Sequence, residues 1–177
     1  MFVDMWVADA LLSIAERDIL ELAWSQRVLD EAKGPIPRLW HVEPAAADRF
    51  FDALNRAFPL ALTSGWESLE DDAELPDVDD RHVLAAARQA GADVIATFNL
   101  KHFPAAVLSG FGLVAESPDS LLTGLIDEQP EEVLRIMMDL VSSKKRPPRT
   151  MREEISHLRR TGAPLFASRL EALAATR

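Results

Sequence analysis

Leu75-Pro76-Asp77-Val78-Asp79-Asp80-Arg81-His82-Val83-Leu84-Ala85-Ala86-Ala87-Arg88-Gln89-Ala90-Gly91-Ala92-Asp93-Val94-Ile95-Ala96-Thr97-Phe98-Asn99-Leu100-Lys101-His102-Phe103-Pro104 lays out an α/β unit in a single run of chain. Asp79 or Asp80 starts a helix that carries Val83, Leu84, Ala86 and Ala87, and Gly91 stands at its C′ position. Ala92 to Thr97 reads as a continuous strand of the buried, parallel-sheet type, with Val94, Ile95 and Ala96 as its apolar centre, and the polar residues Thr97, Asn99 and His102 stand at its end. In parallel sheets, ligands collect at the carboxyl ends of the strands. Acids, helix, strand and polar tip in this order therefore predict a metal site on a parallel sheet. Asp77, Asp79 and Asp80 leave a second reading open. Helix capping and the macrodipole account for one or two acids there, whereas three acids in four positions repel one another and a bound cation relieves that repulsion.

Working outward, Ala8 to Leu22 has helical apolar spacing, and Ser25 is an N-cap for a helix that buries Val28, Leu29 and Ala32, with Glu31 at the border of that face. Pro44 to Ala57 reads as an amphipathic helix, Phe58 to Thr63 as a strand, and Glu67 to Glu74 as a solvated acidic loop. Phe111 to Ala115 is another strand. The alternation predicts an α/β fold, a three-layer α/β/α parallel sheet with helices on both faces. From Ser117 the chain becomes helical. Ser117 caps with Pro118 at the first helical position, Pro130 opens the next helix, Thr150 and Glu153 form a capping box, and a last helix surrounds Leu165 to Leu173. The expected domains are residues 1–116 and a helical extension, residues 117–177.

The chain of 177 residues has a net charge of −10, spread unevenly. Residues 1–116 carry 9 Lys and Arg against 20 Asp and Glu, while residues 117–177 carry 10 against 9. An acidic body argues against phosphate binding by cationic side chains alone, but a bound divalent ion would invert the local field. Lys144-Lys145-Arg146-Pro147-Pro148-Arg149 is the one dense basic run, a linker whose Lys144, Lys145, Arg146 and Arg149 are candidates for nucleic-acid contact. The absence of cysteine excludes disulfides and thiolate metal sites. No apolar run approaches the ~20 residues that span a bilayer, and the N-terminus lacks a signal-peptide profile, so a cytoplasmic location without membrane attachment is the expectation.

The Leu75–Pro104 stretch resembles the PIN-domain ribonucleases, closest to a branch of the VapC-type toxins of bacterial toxin–antitoxin pairs. Trp24-Ser25-Gln26-Arg27-Val28-Leu29-Asp30-Glu31 resembles that branch's second acidic motif, and the C-terminal helices resemble an extension found in some members. The resemblance implies a PIN-like fold and a metal-dependent endoribonuclease that hydrolyses RNA phosphodiesters. It further implies Mg2+ or Mn2+ as cofactor, an RNA substrate, a cognate antitoxin protein as partner, and a homodimer as one assembly it allows. Carried over residue by residue, the catalytic set is Glu31, Asp80 and Asn99, with Glu31 and Asp80 as metal ligands and Asp77, Asp79, Thr97 and His102 in support.

The resemblance has two departures. His102 stands where the branch usually has Asp. The family's first strand, central in its sheet, ends in an acid that is the first metal ligand. Aligning Ala8-Asp9-Ala10-Leu11-Leu12 with the segment that follows that strand puts the acid three residues before Met1, so the first central strand is expected to be missing or truncated. Three readings stay open: a start upstream of Met1, Asp4 in the ligand's place after a shortened Met1-Phe2-Val3 strand, or an inactive relative. The alternative functions are an inactive PIN-like module that binds a partner protein and a structure-specific DNA nuclease.

Overall fold

The computed structural model describes residues 4–72, 74–145 and 147–176. In chain order the helices and strands are α1 (Met5–Ala15), β1 (Trp24–Ser25), α2 (Gln26–Lys33), α3 (Ile36–Leu39), α4 (Pro44–Ala57), β2 (Leu62–Thr63), α5 (Arg81–Ala90), β3 (Val94–Ala96), α6 (Ala105–Leu108), β4 (Val114–Glu116), α7 (Pro118–Glu128), α8 (Pro130–Ser143), α9 (Met151–Thr161) and α10 (Pro164–Ala174). They fall into two compact units, one of residues 21–116 and one that joins residues 1–20 to residues 117–177.

The helical unit is built around α1. Asp4 caps this helix by accepting hydrogen bonds from the Trp6 and Val7 amides at 3.0 and 3.1 Å. Val7, Ala10, Leu11 and Ile14 form its apolar stripe, and they pack with Leu122 and Ile126 of α7, Leu134 and Met137 of α8, Leu158 of α9 and Phe166 and Leu170 of α10. Each fully buried large side chain in such a core contributes about 1.5–3 kcal/mol of transfer free energy. That packing explains why the first twenty residues associate with the C-terminal helices, although the sequence division grouped them with residues 21–116. The start of α10 is secured from another helix: Asp119 of α7, nearly buried, accepts from the Leu165 and Phe166 amides at 3.1 and 2.9 Å. These are amides that the first turn of α10 leaves without intrahelical partners. Ser117, and Thr150 with Glu153, cap α7 and α9 as their sequences specify.

The second unit is α/β, and its sheet differs from the expectation. Among the described residues there are two separate two-stranded parallel sheets in place of one continuous layer. Trp24 and Ser25 register with Leu62 and Thr63 in one sheet, and Val94, Ile95 and Ala96 register with Val114, Ala115 and Glu116 in the other. The strands are two or three residues long. The shortened Met1–Val3 strand lies outside the described residues. Helix α5 packs against β1, β2 and β3. Its Leu84 joins Ile95, Phe103, Leu108 and Leu113 in one core, and its Ala85 and Ala86 pack on Trp66. The acidic stretch after Trp66 is a 3-10 helix, Glu67–Asp72, packed against α5, where a solvated loop was expected. Gly91 ends α5 at φ 66°, the left-handed conformation that an L side chain resists, and its amide closes the helix on the Ala87 and Arg88 carbonyls. Among the described residues, no helix is long and apolar enough to cross a membrane.

Candidate metal centre

The turn before α5 and the turn after β3 meet in the α/β unit. Asp77 starts a short 3-10 turn, Val78–Asp80, by accepting from the Asp79 amide at 3.0 Å through Oδ1. Its other oxygen, Oδ2, is thereby left facing the β3 side, 3.4 Å from His102 Nδ1. Asp80 stands at the N-cap position of α5 and makes no side-chain cap bond, so its carboxylate is free to reach His102, with Oδ2 2.6 Å from Nδ1. After β3, Thr97 Oγ1 accepts from the Asn99 amide at 3.0 Å and shapes the turn, and Asn99 Nδ2 lies 2.8 Å from the same imidazole nitrogen.

One nitrogen thus meets two carboxylate oxygens and an amide. If Nδ1 carries a proton, it donates to Asp80, and the Asn99 side chain must turn its oxygen toward the ring. If Nδ1 is bare, Asn99 donates to it, and the nitrogen lone pair faces two anionic oxygens, an arrangement that a shared cation stabilises. One ligand atom from each of Asp77, Asp80 and His102 lies within 4.8 Å of the other two, close enough for all three to hold one metal ion. These side chains are only partly exposed, at 41%, 28% and 22%, so a bound ion would keep an open face for water or substrate.

The other predicted site residues lie elsewhere. Asp79 is exposed and outside this trio. Glu31, on α2, is also outside it. Its carboxylate takes Arg27 Nε at 3.2 Å and lies 3.1 Å from His82 Nε2, while Arg27 Nη1 reaches Glu70 at 2.9 Å. His82 is buried, which lowers its pKa despite Glu31 beside it, and its Nδ1 has no hydrogen-bond partner among the described residues. Reading the sequence for acids alone missed His82, although its place two residues after Asp80, on the helix that the acids open, was a signal. Asp4 lies in the helical unit, where capping uses Oδ1 and Oδ2 is 3.6 Å from His157 Nε2. In the basic run, Lys144 and Arg149 pair with Asp9 at 2.8 and 3.3 Å, and Lys145 forms a backbone bridge with Pro148. Arg146 lies outside the described residues.

Comparison with known proteins places a likeness on part of the chain. Residues 118–172 match the family model described as the VapC50 C-terminal domain, a stretch that runs from α7 into α10. The chain is also 41% identical over 71 residues to the protein named "Putative ribonuclease VapC50" from Mycobacterium tuberculosis (strain ATCC 25618 / H37Rv), a match that covers 40% of this chain and 42% of that protein. No solved structure matches. Over the matched part, the chain is similar to the VapC-type PIN toxins.

Proposed function

We propose that this chain is a metal-dependent endoribonuclease that hydrolyses RNA phosphodiesters, the toxin of a pair whose partner is an antitoxin protein. The observation that carries this reading is the convergence of Asp77, Asp80 and His102, beside Asn99, at the carboxyl end of β3. The partial likeness to a protein named as a ribonuclease points the same way. In this reading the chemistry sits in the α/β unit, and its two parallel sheets, both packed on α5, are portions of one PIN-like layer.

The donor set fits a divalent cation. Two carboxylates suit Mg2+, and an imidazole nitrogen moves the preference toward Mn2+. When bound, such an ion polarises a phosphoryl oxygen and lowers the pKa of a coordinated water. The chain's own residues do the rest. Asp77 and Asp80 supply the negative charge that draws the cation, and Thr97 holds the turn that aims Asn99. The Asn99 amide can orient either His102 or a phosphate oxygen. Glu31 is the second family acid in the proposal, held in place by Arg27 and by contact with His82.

The direct test is cleavage of end-labelled single-stranded RNA, with branched DNA in parallel, by the full chain in Mn2+ or Mg2+. RNA cleavage that falls at least ~100-fold in Asp80→Asn, with an unchanged melting temperature, is the expected result, since such sites act through positioned charge. Cleavage of DNA but not RNA would move the proposal to the structure-specific nuclease. No cleavage in either metal would sink it. One observation favours a second reading, an inactive module that binds a partner: Glu31 stands apart from the Asp77–Asp80–His102 trio. Retained antitoxin binding without measurable metal binding would support that reading instead.

A further inference from the structure

The helical unit contains a feature that the metal centre does not use. A cleft of about 640 Å³ opens beside α9, and Trp6, Pro148, Arg149, Arg152, His157 and Arg160 line it. Its inner wall is assembled from contacts within the unit. The Trp6 ring stacks on His157 with centroids 4.1 Å apart and takes the Arg149 guanidinium 3.6 Å from its centre. Arg149 Nη1 also bonds Asp9 and Glu154, each at 3.3 Å. The charge of Arg149 is therefore met inside the protein. Burial holds the His157 pKa below its ordinary value, so this ring is neutral near pH 7.

Arg152 and Arg160 are different. They lie at i and i+8 on α9, with Ser156 between them, so all three form one stripe along the cleft. Both arginines are exposed, and neither makes a hydrogen bond or ion pair among the described residues. Glu153, the only acid among the described lining residues, turns back into its capping box and accepts from Thr150 N and Oγ1 at 2.8 Å. The cleft thus offers two guanidinium groups without an ion partner among the described residues, beside one carboxylate tied back to Thr150 through Oε2, on a chain of net charge −10. Met5, Pro147 and Pro148 supply an apolar wall alongside them.

Planar guanidinium groups match the oxygens of phosphate in a fork geometry, and they are the usual choice where phosphate must be recognised. The volume lies within the range of about 300–1,000 Å³ typical of small-molecule sites, large enough for one nucleotide. We infer that this cleft binds the phosphate of a nucleotide through Arg152 and Arg160, with the sugar or base against Met5, Pro147 and Pro148. The nucleotide is either free or one unit of an RNA chain. Lys144 and Arg149, the candidates from the basic run, build the wall and the ion network beside it. The inference requires no catalysis, so it stands or falls separately from the nuclease reading.

The test measures binding by the full chain in EDTA, with no divalent metal. Fluorescence anisotropy of a labelled ten-nucleotide RNA is read against AMP, inorganic phosphate and a heptaglutamate peptide as competitors. Arg152→Ala with Arg160→Ala should weaken RNA binding at least about tenfold and flatten the log–log salt slope by about 0.7, the value for one neutralised phosphate on a single strand. The charge-matched control is Arg159→Ala with Arg169→Ala, residues that pair with Glu171 and Asp127. It should stay within about twofold of the unaltered protein. Competition by AMP would identify a free nucleotide as sufficient, and competition by unlabelled RNA alone would identify the chain as the source; both support the inference. Four results would overturn it: no nucleotide binding, equal binding by the Arg152/Arg160 variant, an equal loss in the control, or a peptide that competes as well as RNA.

Discussion

Asp9, Lys144, Arg149 and Glu154 in the helical unit form an ion network closed on itself, with Glu154 fully buried and Arg149 laid over Trp6. In the α/β unit, Asp77, Asp80 and His102 bring two carboxylates to one imidazole nitrogen, and among the described residues no arginine or lysine forms an ion pair with either carboxylate. Both are clusters of charge that include residues at helix ends. The first compensates its charges with neighbouring side chains and so serves packing. The second leaves a negative field partly open to solvent, where a cation or a proton can complete it. Whether a cluster of acids is structural or ligand-ready therefore depends less on how many acids it holds than on which cations the fold places beside them.

The comparison can be broken most severely at the helical core. Phe166→Ala empties a fully buried position among α1, α7, α8, α9 and α10 and should cost about 3–5 kcal/mol in urea unfolding. A loss below about 1 kcal/mol would mean that this core is not what holds the unit together.

The closed network gives a pH test. Burial raises the Glu154 carboxyl from its ordinary value to about 7, against the opposing effect of Arg149. Between the unfolded and folded pKa values, the folded state binds more protons than the unfolded state. Stability from this group is therefore full below pH 4.5 and falls as pH rises through about 7. The full difference is about 3 kcal/mol. Glu154→Gln cannot ionise, so its unfolding free energy relative to wild type should rise by that amount from pH 4.5 to pH 8. A difference that does not vary with pH would mean that Glu154 is already charged in the folded network. The buried His82 and the half-buried His157, whose pKa values are lowered, act in the opposite direction in both proteins and cancel in the comparison.

At the open cluster, His102→Asp replaces the nitrogen donor by oxygen. The ratio of Mn2+-supported to Mg2+-supported activity should fall about tenfold, because the all-oxygen set suits the harder ion. An unchanged ratio would remove His102 from the site. The smallest effect is expected at Gly91→Ala. Its added methyl meets nothing within 4 Å, so only the strain of φ 66° remains, about 1 kcal/mol in urea unfolding.

Much of the local structure was legible in the sequence because it depends on neighbours in the chain. The caps at Ser25, Ser117 and Thr150, the prolines at helix starts and the left-handed glycine after α5 are each set by a few adjacent residues. Asp77, Asp80, Asn99 and His102 were legible as candidates because they border one helix and one strand within a short stretch. Their convergence on a single nitrogen was not legible, because it depends on β3 and β4 pairing and on the angle at which α5 leaves the acids.

By itself, the sequence determined where α2, α4, α5, α7, α8 and α9 begin and which acids stand at the mouth of α5, since propensity, capping and hydrophobic period act over a few residues. It did not give the bounds of α1, which runs Met5–Ala15 where Ala8–Leu22 was expected, nor the short helices α3 and α6. Only the tertiary structure decided which charges would be compensated. It packed α1 with the C-terminal helices, gave Asp9 to Lys144 and Arg149, set Glu31 against Arg27 and His82, and divided the strands between two short sheets. Those pairings join residues up to 140 positions apart, and electrostatic and packing energies depend on distance in space, which spacing along the chain does not encode.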